Sequence, residues 1–156
     1  MAKRLNRNIK SKLKDLHEHH TNSKYFKKVN TLSPQDHWLN ESEAEEAFAM
    51  RDVKDYIKFM NVEMLMVNLF VQINKIAPLR YFDLEAYLLD EFENEGELIK
   101  TVVNGLREYK RFILYHSEME LVFFSVYDQD VAVYFLDDID NAVFKNSVSE
   151  NKLYLI

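Results

Sequence analysis

The pattern of hydrophobic and polar positions along this chain changes near Arg111. Before that residue, apolar side chains recur every three or four positions, which is the spacing of helices that bury one face. After it, aromatic and β-branched residues dominate short runs separated by polar breaks, as in the strands of a meander. The pattern predicts an α+β protein with N-terminal helices followed by a C-terminal antiparallel β meander.

Capping patterns indicate where the first helices begin. Ser42 and Glu45 have the spacing of a capping box, which predicts a helix over about 43–60. Its expected buried residues are Ala47, Met50, Val53, Ile57 and Met60. Ser33 followed by Pro34 predicts one or two helical turns earlier in the chain.

The next segments are predicted to build the helical core. Residues 62–76 are apolar at nearly every position, so they are expected to form the central core helix, which Pro78 ends. Asp83 is expected to cap one further helix and Asn94 another. The second of these has core spacing at Ile99, Val102, Val103, Leu106 and Tyr109. Because glycine is unfavourable in a helix interior, Gly105 indicates a close helix contact at that position.

Four strands are predicted after Arg111, over residues 112–115, 119–127, 131–136 and, more weakly, 152–156. Polar breaks at 116–118 and 128–130 fit hairpin turns. The three strands that these breaks separate are therefore expected to be antiparallel neighbours.

The net charge of −6 conceals a basic N-terminal arm on an acidic body. Residues 1–28 carry nine Lys or Arg against two acids, a net of +7, whereas the remainder has a net of −13. One helical face of the arm collects its apolar residues, Leu5, Ile9, Leu13 and Leu16. We interpret residues 1–30 as a basic helical arm and 31–156 as a single α+β domain. The arm is expected to meet either an external polyanion or its own acidic body.

Composition removes several classes of function. There is no cysteine, hence no disulfide or thiolate site, and the two glycines form no phosphate-binding loop. No signal peptide or membrane span is indicated, so a cytoplasmic location is expected. His17 and His20 could share a divalent metal on one helical turn, but no third ligand is visible. The acids between 128 and 140 lack the glycine and the terminal glutamate of a calcium-binding loop. We therefore expect a non-enzymatic protein without cofactor or metal.

Residues 62–127 are predicted to run helix, helix, helix, then hairpin, and in that order they resemble a winged helix-turn-helix domain. The pattern Ile99-x-x-Val102-Val103-x-x-Leu106 carries the resemblance in the third helix. That family binds duplex DNA through its third helix, with the hairpin as a wing. The resemblance implies that residues 116–119 form the wing and that the base-reading side chains are Lys100, Asn104 and Arg107.

Helical geometry also places Lys100, Asn104, Arg107 and Arg111 on one stripe, and such donors suit base edges and phosphates. The predicted nucleic-acid-binding residues are Lys3, Arg4, Arg7, Lys10, Lys14, Lys100, Asn104, Arg107 and Arg111. The leading expectation is a small DNA-binding protein that regulates transcription.

The net charge of this region opposes the expectation of DNA binding. Residues 62–127 have a net charge of −5, whereas DNA affinity comes largely from the neutralisation of phosphates by basic residues. The alternative is an acidic protein–protein interaction module or inhibitor, one that can imitate nucleic acid and come from a mobile element or phage. A homodimer is left open by either hypothesis.

Overall fold

The computed structural model describes residues 2–19, 25–26, 28–136 and 141–156, with the backbone alone for residues 2–7 and 28. The helices of this part are α1 (Ala2–Glu18), α2 (Glu41–Ala47), α3 (Val53–Ile76), α4 (Glu95–Leu106) and α5 (Ala142–Glu150). The strands are β1 (Lys28–Ser33), β2 (Leu79–Asp83), β3 (Leu88–Glu91), β4 (Ile113–His116), β5 (Leu121–Ser125), β6 (Val131–Phe135) and β7 (Tyr154–Leu155).

The seven strands form one sheet in the order β3-β2-β4-β5-β6-β1-β7. Every neighbouring pair is antiparallel. The α+β class and the antiparallel C-terminal hairpins are therefore confirmed. The β content is larger than predicted, however, because strands precede and interrupt the helices as well as following them.

The two faces of the sheet are covered by different helices. On one face, α3, α4 and α5 enclose the larger core, which centres on Phe70, Phe123 and Phe144. On the other face, Leu13 and Leu16 of α1 are fully buried against strands β2 to β6. The C-terminal part of α1 thus docks through the apolar stripe that its sequence predicts.

A hairpin stands where the Asp83-capped helix was predicted. Asp83 does act as a cap, since its carboxylate accepts hydrogen bonds from the amides of Glu85 and Ala86, but it closes a turn and not a helix. Tyr87 then adopts a positive φ of 53° and the chain returns as β3. The predicted order of three helices and a hairpin over 62–127 is therefore absent. The pairing of β3 along β2 outweighed the short helical pattern.

The helix predicted over 43–60 is two helices. The capping box is formed by Asn40 and Glu43, not by Ser42 and Glu45, and α2 ends at Ala47. The carboxylate of Asp52 then accepts the amides of Lys54 and Asp55 and starts α3. That helix continues to Ile76 without a break. The helix predicted from Ser33 is also wrong, because β1 ends there and the Ser33 hydroxyl accepts the amide of Gln35 in a bend.

Other predictions in the second half of the chain are confirmed. Asn94 caps α4 by accepting the amide of Glu97. Gly105 is buried, and a Cβ atom there would overlap the ring of Phe112. Besides β2 and β3, two elements escaped prediction: β1, whose sequence is mostly polar, and α5, where the Asn141 side chain accepts the amide of Phe144.

Candidate functional site

A groove opens where four parts of the fold meet: the segment between α2 and α3, the first half of α3, the turn after α4 and the β5–β6 turn. It has a volume of about 270 Å³. Its lining is mainly aromatic and apolar, with two carboxylates: Phe48, Met50, Tyr56, Phe59, Leu106, Arg107, Glu108, Tyr109, Asp128 and Gln129. We call these ten residues the groove.

The first half of α3 supplies one wall, and three of its large apolar side chains are exposed to solvent. All of the buried residues of α3 lie at or after Glu63. Before it, Val53 is 72% exposed, Ile57 52% and Tyr56 49%. Spacings of three and four place these three side chains on one side of the helix. We call residues 53–62 the exposed half of α3.

This exposure corrects the predicted core. Val53 and Ile57 were expected to be buried, as was Met50, which is 53% exposed. Tyr109 was also assigned to the core and is 77% exposed. Their spacing was helical, but a helix of 24 residues spans about 36 Å, roughly twice the length of a five-residue strand. The sheet-side core therefore covers only the second half of α3.

Backbone strain is concentrated in the opposite wall. The β5–β6 turn holds Asp128 and Gln129 at φ of 57° and 62°, and Glu108 after α4 has φ of 58°. Non-glycine residues pay an energetic penalty in this left-handed region, so surrounding contacts must hold them there. The side-chain amide of Gln129 donates to the backbone carbonyl of Phe59 at 3.3 Å. The Asp128 amide donates to the Glu108 carboxylate at 3.2 Å.

A buried ion pair lies at the base of the groove. The Arg107 guanidinium donates two hydrogen bonds to the Glu63 carboxylate, at 2.6 and 2.8 Å. The Glu63 side chain is 4% exposed and that of Arg107 is 28% exposed. This carboxylate raises the pKa of Arg107. The pair joins α3 to α4 where the buried and exposed halves of α3 meet, so the charge of Arg107 is neutralised within the molecule.

The four residues of the predicted DNA-reading stripe are placed differently from one another. Arg107 is held by Glu63, whereas Lys100 is exposed and Asn104 half-buried. Arg111 lies over the ring of Tyr127, 5.0 Å from its centroid, and donates to that phenol. The stripe therefore presents fewer unpaired cations than its sequence suggests.

The predicted wing also differs from a phosphate-contacting hairpin. His116 is completely buried, with one ring nitrogen 3.1 Å from the Ile73 carbonyl and the other accepting the Met119 amide. Burial lowers the pKa of His116. This ring stabilises the end of α3 in its neutral form and is not available to a ligand.

The basic arm is described only in part. Lys14 is exposed, pairs with Glu18 at 3.8 Å and lies 4.9 Å from the centroid of the Tyr87 ring. Lys10 is half-buried. The side chains of Lys3, Arg4 and Arg7 lie outside the described residues, so their predicted role stays a prediction.

No family model, no curated protein and no solved structure matches this chain. The geometry of the groove and the charges around it are therefore the features that indicate a function.

The described residues contain neither a helix that could span a membrane nor a cluster of metal ligands. No helix among them has the length and apolarity needed to cross a membrane. No three His, Asp or Glu side chains of the described ranges are grouped as metal ligands. His20 and the acids at 137, 138 and 140, which entered the metal hypotheses, lie outside those ranges.

Proposed function

We propose that this chain is a non-enzymatic protein-interaction module, an adaptor or inhibitor that docks through the exposed half of α3 and the groove. The observation that carries the proposal is the row of Val53, Tyr56 and Ile57, three large apolar side chains left in solvent beside a concave surface. Contiguous exposed apolar patches of this kind typically mark contact surfaces, and aromatic side chains are frequent binding hot spots.

Charge supports the same proposal. The body after residue 28 has a net charge of −13, and Arg107, expected to read bases, is already paired with Glu63. An acidic surface repels phosphates, whereas it attracts basic surfaces of other proteins. Glu41 and Glu45 of α2 precede the exposed half of α3 along the chain and add to this negative field, whereas Glu46 of the same helix is paired with Arg51.

The proposal is tested by affinity capture from a nuclease-treated cell extract. The bait is the full chain, compared with the variant Tyr56→Ala/Ile57→Ser. The matched control is Tyr154→Ala/Val143→Ser, since Tyr154 is 46% and Val143 56% exposed and neither lines the groove. We expect the wild type and the control to retain the same partner and the groove variant to lose it. Equal retention by all three baits would contradict the proposal.

Nucleic-acid binding through the arm is a second candidate function. One observation favours it: the fully buried contact of α1 with the sheet is made by the apolar Leu13 and Leu16, while, among the described side chains, the lysine charge that α1 places on the body is that of Lys14, over the Tyr87 ring. We expect the full chain to bind duplex DNA at low salt, with affinity that falls steeply as salt rises. Replacing Lys3, Arg4, Arg7 and Lys10 by Gln should remove most of that salt dependence. Binding that is unchanged by these substitutions would eliminate the arm as the contact.

A further inference from the structure

We infer that the groove takes an arginine or lysine side chain from a basic segment of a partner protein. This inference rests on the proposed function and adds to it the chemistry of the occupant. The cationic head would lie between the aromatic rings and the two carboxylates, and the aliphatic stem would lie against the apolar lining.

The carboxylates of the groove give the first argument. Glu108 and Asp128 both line it, and within the described part of the chain neither forms an ion pair. The one cation among the lining residues, Arg107, is bound to Glu63. The groove therefore presents two negative charges that no described side chain balances. A positively charged partner residue would supply the complement.

The aromatic lining gives the second argument. Tyr56 and Tyr109 are 49% and 77% exposed, and Phe48 and Phe59 stand half-buried beside them. The faces of such rings attract cations, and arginine also stacks on them. Apolar stems of long basic side chains pack on apolar surface while their heads stay near water or charge, which suits Met50 and Leu106. Rings with acids at the rim favour a cationic side chain over a neutral apolar one.

The strained wall gives the third argument. Asp128, Gln129 and Glu108 are all held at positive φ, and their hydrogen bonds connect the β5–β6 turn to the loop after α4 and to α3. The Glu108 carboxylate and the backbone that carries Asp128 are therefore held in place before any ligand arrives. Fixed groups lose less conformational freedom on binding, which favours an ordered contact over a diffuse acidic attraction.

The test is a selection of short random peptides displayed on phage, using the full chain as bait. Enriched peptides are then measured by fluorescence anisotropy against Glu108→Gln/Asp128→Asn. These substitutions keep a side-chain oxygen that can accept the Asp128 amide, and asparagine tolerates the left-handed conformation, so the charge changes and the turn does not. The control is Glu118→Gln/Glu120→Gln, the same charge change in the β4–β5 turn, at the opposite end of the strands.

We expect enrichment of peptides with Arg or Lys beside an aromatic or aliphatic residue. Their affinity should fall about tenfold in the groove variant, weaken with salt, and stay unchanged in the control. Enrichment of neutral or acidic peptides, or equal affinity for both variants, would overturn the inference. Tight binding of a peptide of residues 1–28 through Glu108 and Asp128 would also overturn it, because the occupant would then be the arm of a second copy.

The inference and the proposed function can fail separately. If the exposed half of α3 captures a partner whose binding ignores Glu108 and Asp128, the interaction module stands and the basic occupant is wrong. If basic peptides bind the groove but capture of no partner depends on Tyr56 and Ile57, the groove's preference for a basic side chain stands and docking through the exposed half of α3 is wrong.

Discussion

The two halves of α3 have similar apolar content but opposite environments. In the second half, Met66, Leu69, Phe70 and Ile73 are completely buried against the sheet and α4. In the first half, Val53, Tyr56 and Ile57 stand in solvent. Apolar periodicity determines which side of a helix is suited to burial, whereas the extent of the neighbouring elements determines how much of that side is covered.

The Glu63–Arg107 pair marks the boundary between the halves. Burial of Glu63 would be unfavourable without a partner, and Arg107 provides it from α4. Beyond this point the strained β5–β6 turn contacts the helix only through the Gln129 amide and the Phe59 carbonyl among the described hydrogen bonds. The exposed half of α3 is thus held at its base by these contacts and at its start by Arg51, which bridges Asp55 and Glu46 of α2, while Val53, Tyr56 and Ile57 stay open to solvent.

The largest effect is expected in the buried half. Phe70→Ala removes a ring that packs edge-on against Phe112 and Phe123, with centroids at 5.8 and 5.2 Å. The free energy of unfolding should fall by about 4 kcal/mol, since a cavity is left in the core. Urea denaturation measures it. A loss below about 1 kcal/mol would contradict the assignment of this half to the core.

The next effect is expected at the boundary. Arg107→Ala leaves the Glu63 carboxylate buried without its partner, and the free energy of unfolding should fall by about 3 kcal/mol. The double variant Glu63→Leu/Arg107→Met should recover most of this loss, because neither charge remains. A double variant no more stable than Arg107→Ala would show that the pair is not the cause.

A smaller effect concerns pH and the strained turn. Burial raises the pKa of Asp130 to about 6, while a hydrogen bond from Ser33 opposes part of this rise. A raised folded pKa gives stability that is present below the ordinary value near 3.8 and is lost as pH rises through about 6. Asparagine does not ionise, so the Asp130→Asn variant does not lose this stability as pH rises. Partial access of solvent to Asp130 limits the effect. The free energy of unfolding of Asp130→Asn minus that of wild type should therefore be about 1 kcal/mol larger at pH near 7.5 than at pH near 4.5.

Urea denaturation at the two pH values measures the gain. A constant difference between Asp130→Asn and wild type across that range would show that Asp130 titrates at its ordinary pKa. The neutral, buried His116 acts in the opposite direction, since its lowered pKa makes stability fall as pH drops below about 6.5. Its contribution is common to both proteins and cancels in the comparison.

The smallest effect on stability is expected in the exposed half of α3. Tyr56→Ala and Ile57→Ser should each lower the free energy of unfolding by less than about 1 kcal/mol, since roughly half of each residue is already exposed to water. The melting midpoint checks this directly. A loss as large as that of Phe70→Ala would mean that the half is covered in solution.

Local chemistry allowed part of the fold to be predicted. The runs of β-branched and aromatic residues located β4, β5 and β6, and Asn94 located the start of α4. What failed depended on distant partners. Strand β3 exists because β2 pairs with it, and β1 because β6 accepts a mostly polar strand.

The groove could not be predicted for the same reason. The partner of Arg107 lies 44 residues away at Glu63, so its charge looked available in the sequence. Val53 and Ile57 had the spacing of core residues, and nothing local shows where the sheet ends beneath them. A usable signal was the pair Asp52 and Asp55, which fits a helix cap and would have separated α2 from α3.

Site-specific photo-crosslinking in nuclease-treated extract tests most directly whether the exposed half of α3 contacts a partner protein. A photoreactive amino acid replaces Ile57 in one protein and Val143 in another, since both positions are exposed to a similar degree on helices. The account predicts a discrete protein adduct from position 57 that disappears when Tyr56 is also changed to Ala, and none from position 143. No adduct from position 57, or the same adducts from both positions, would contradict it.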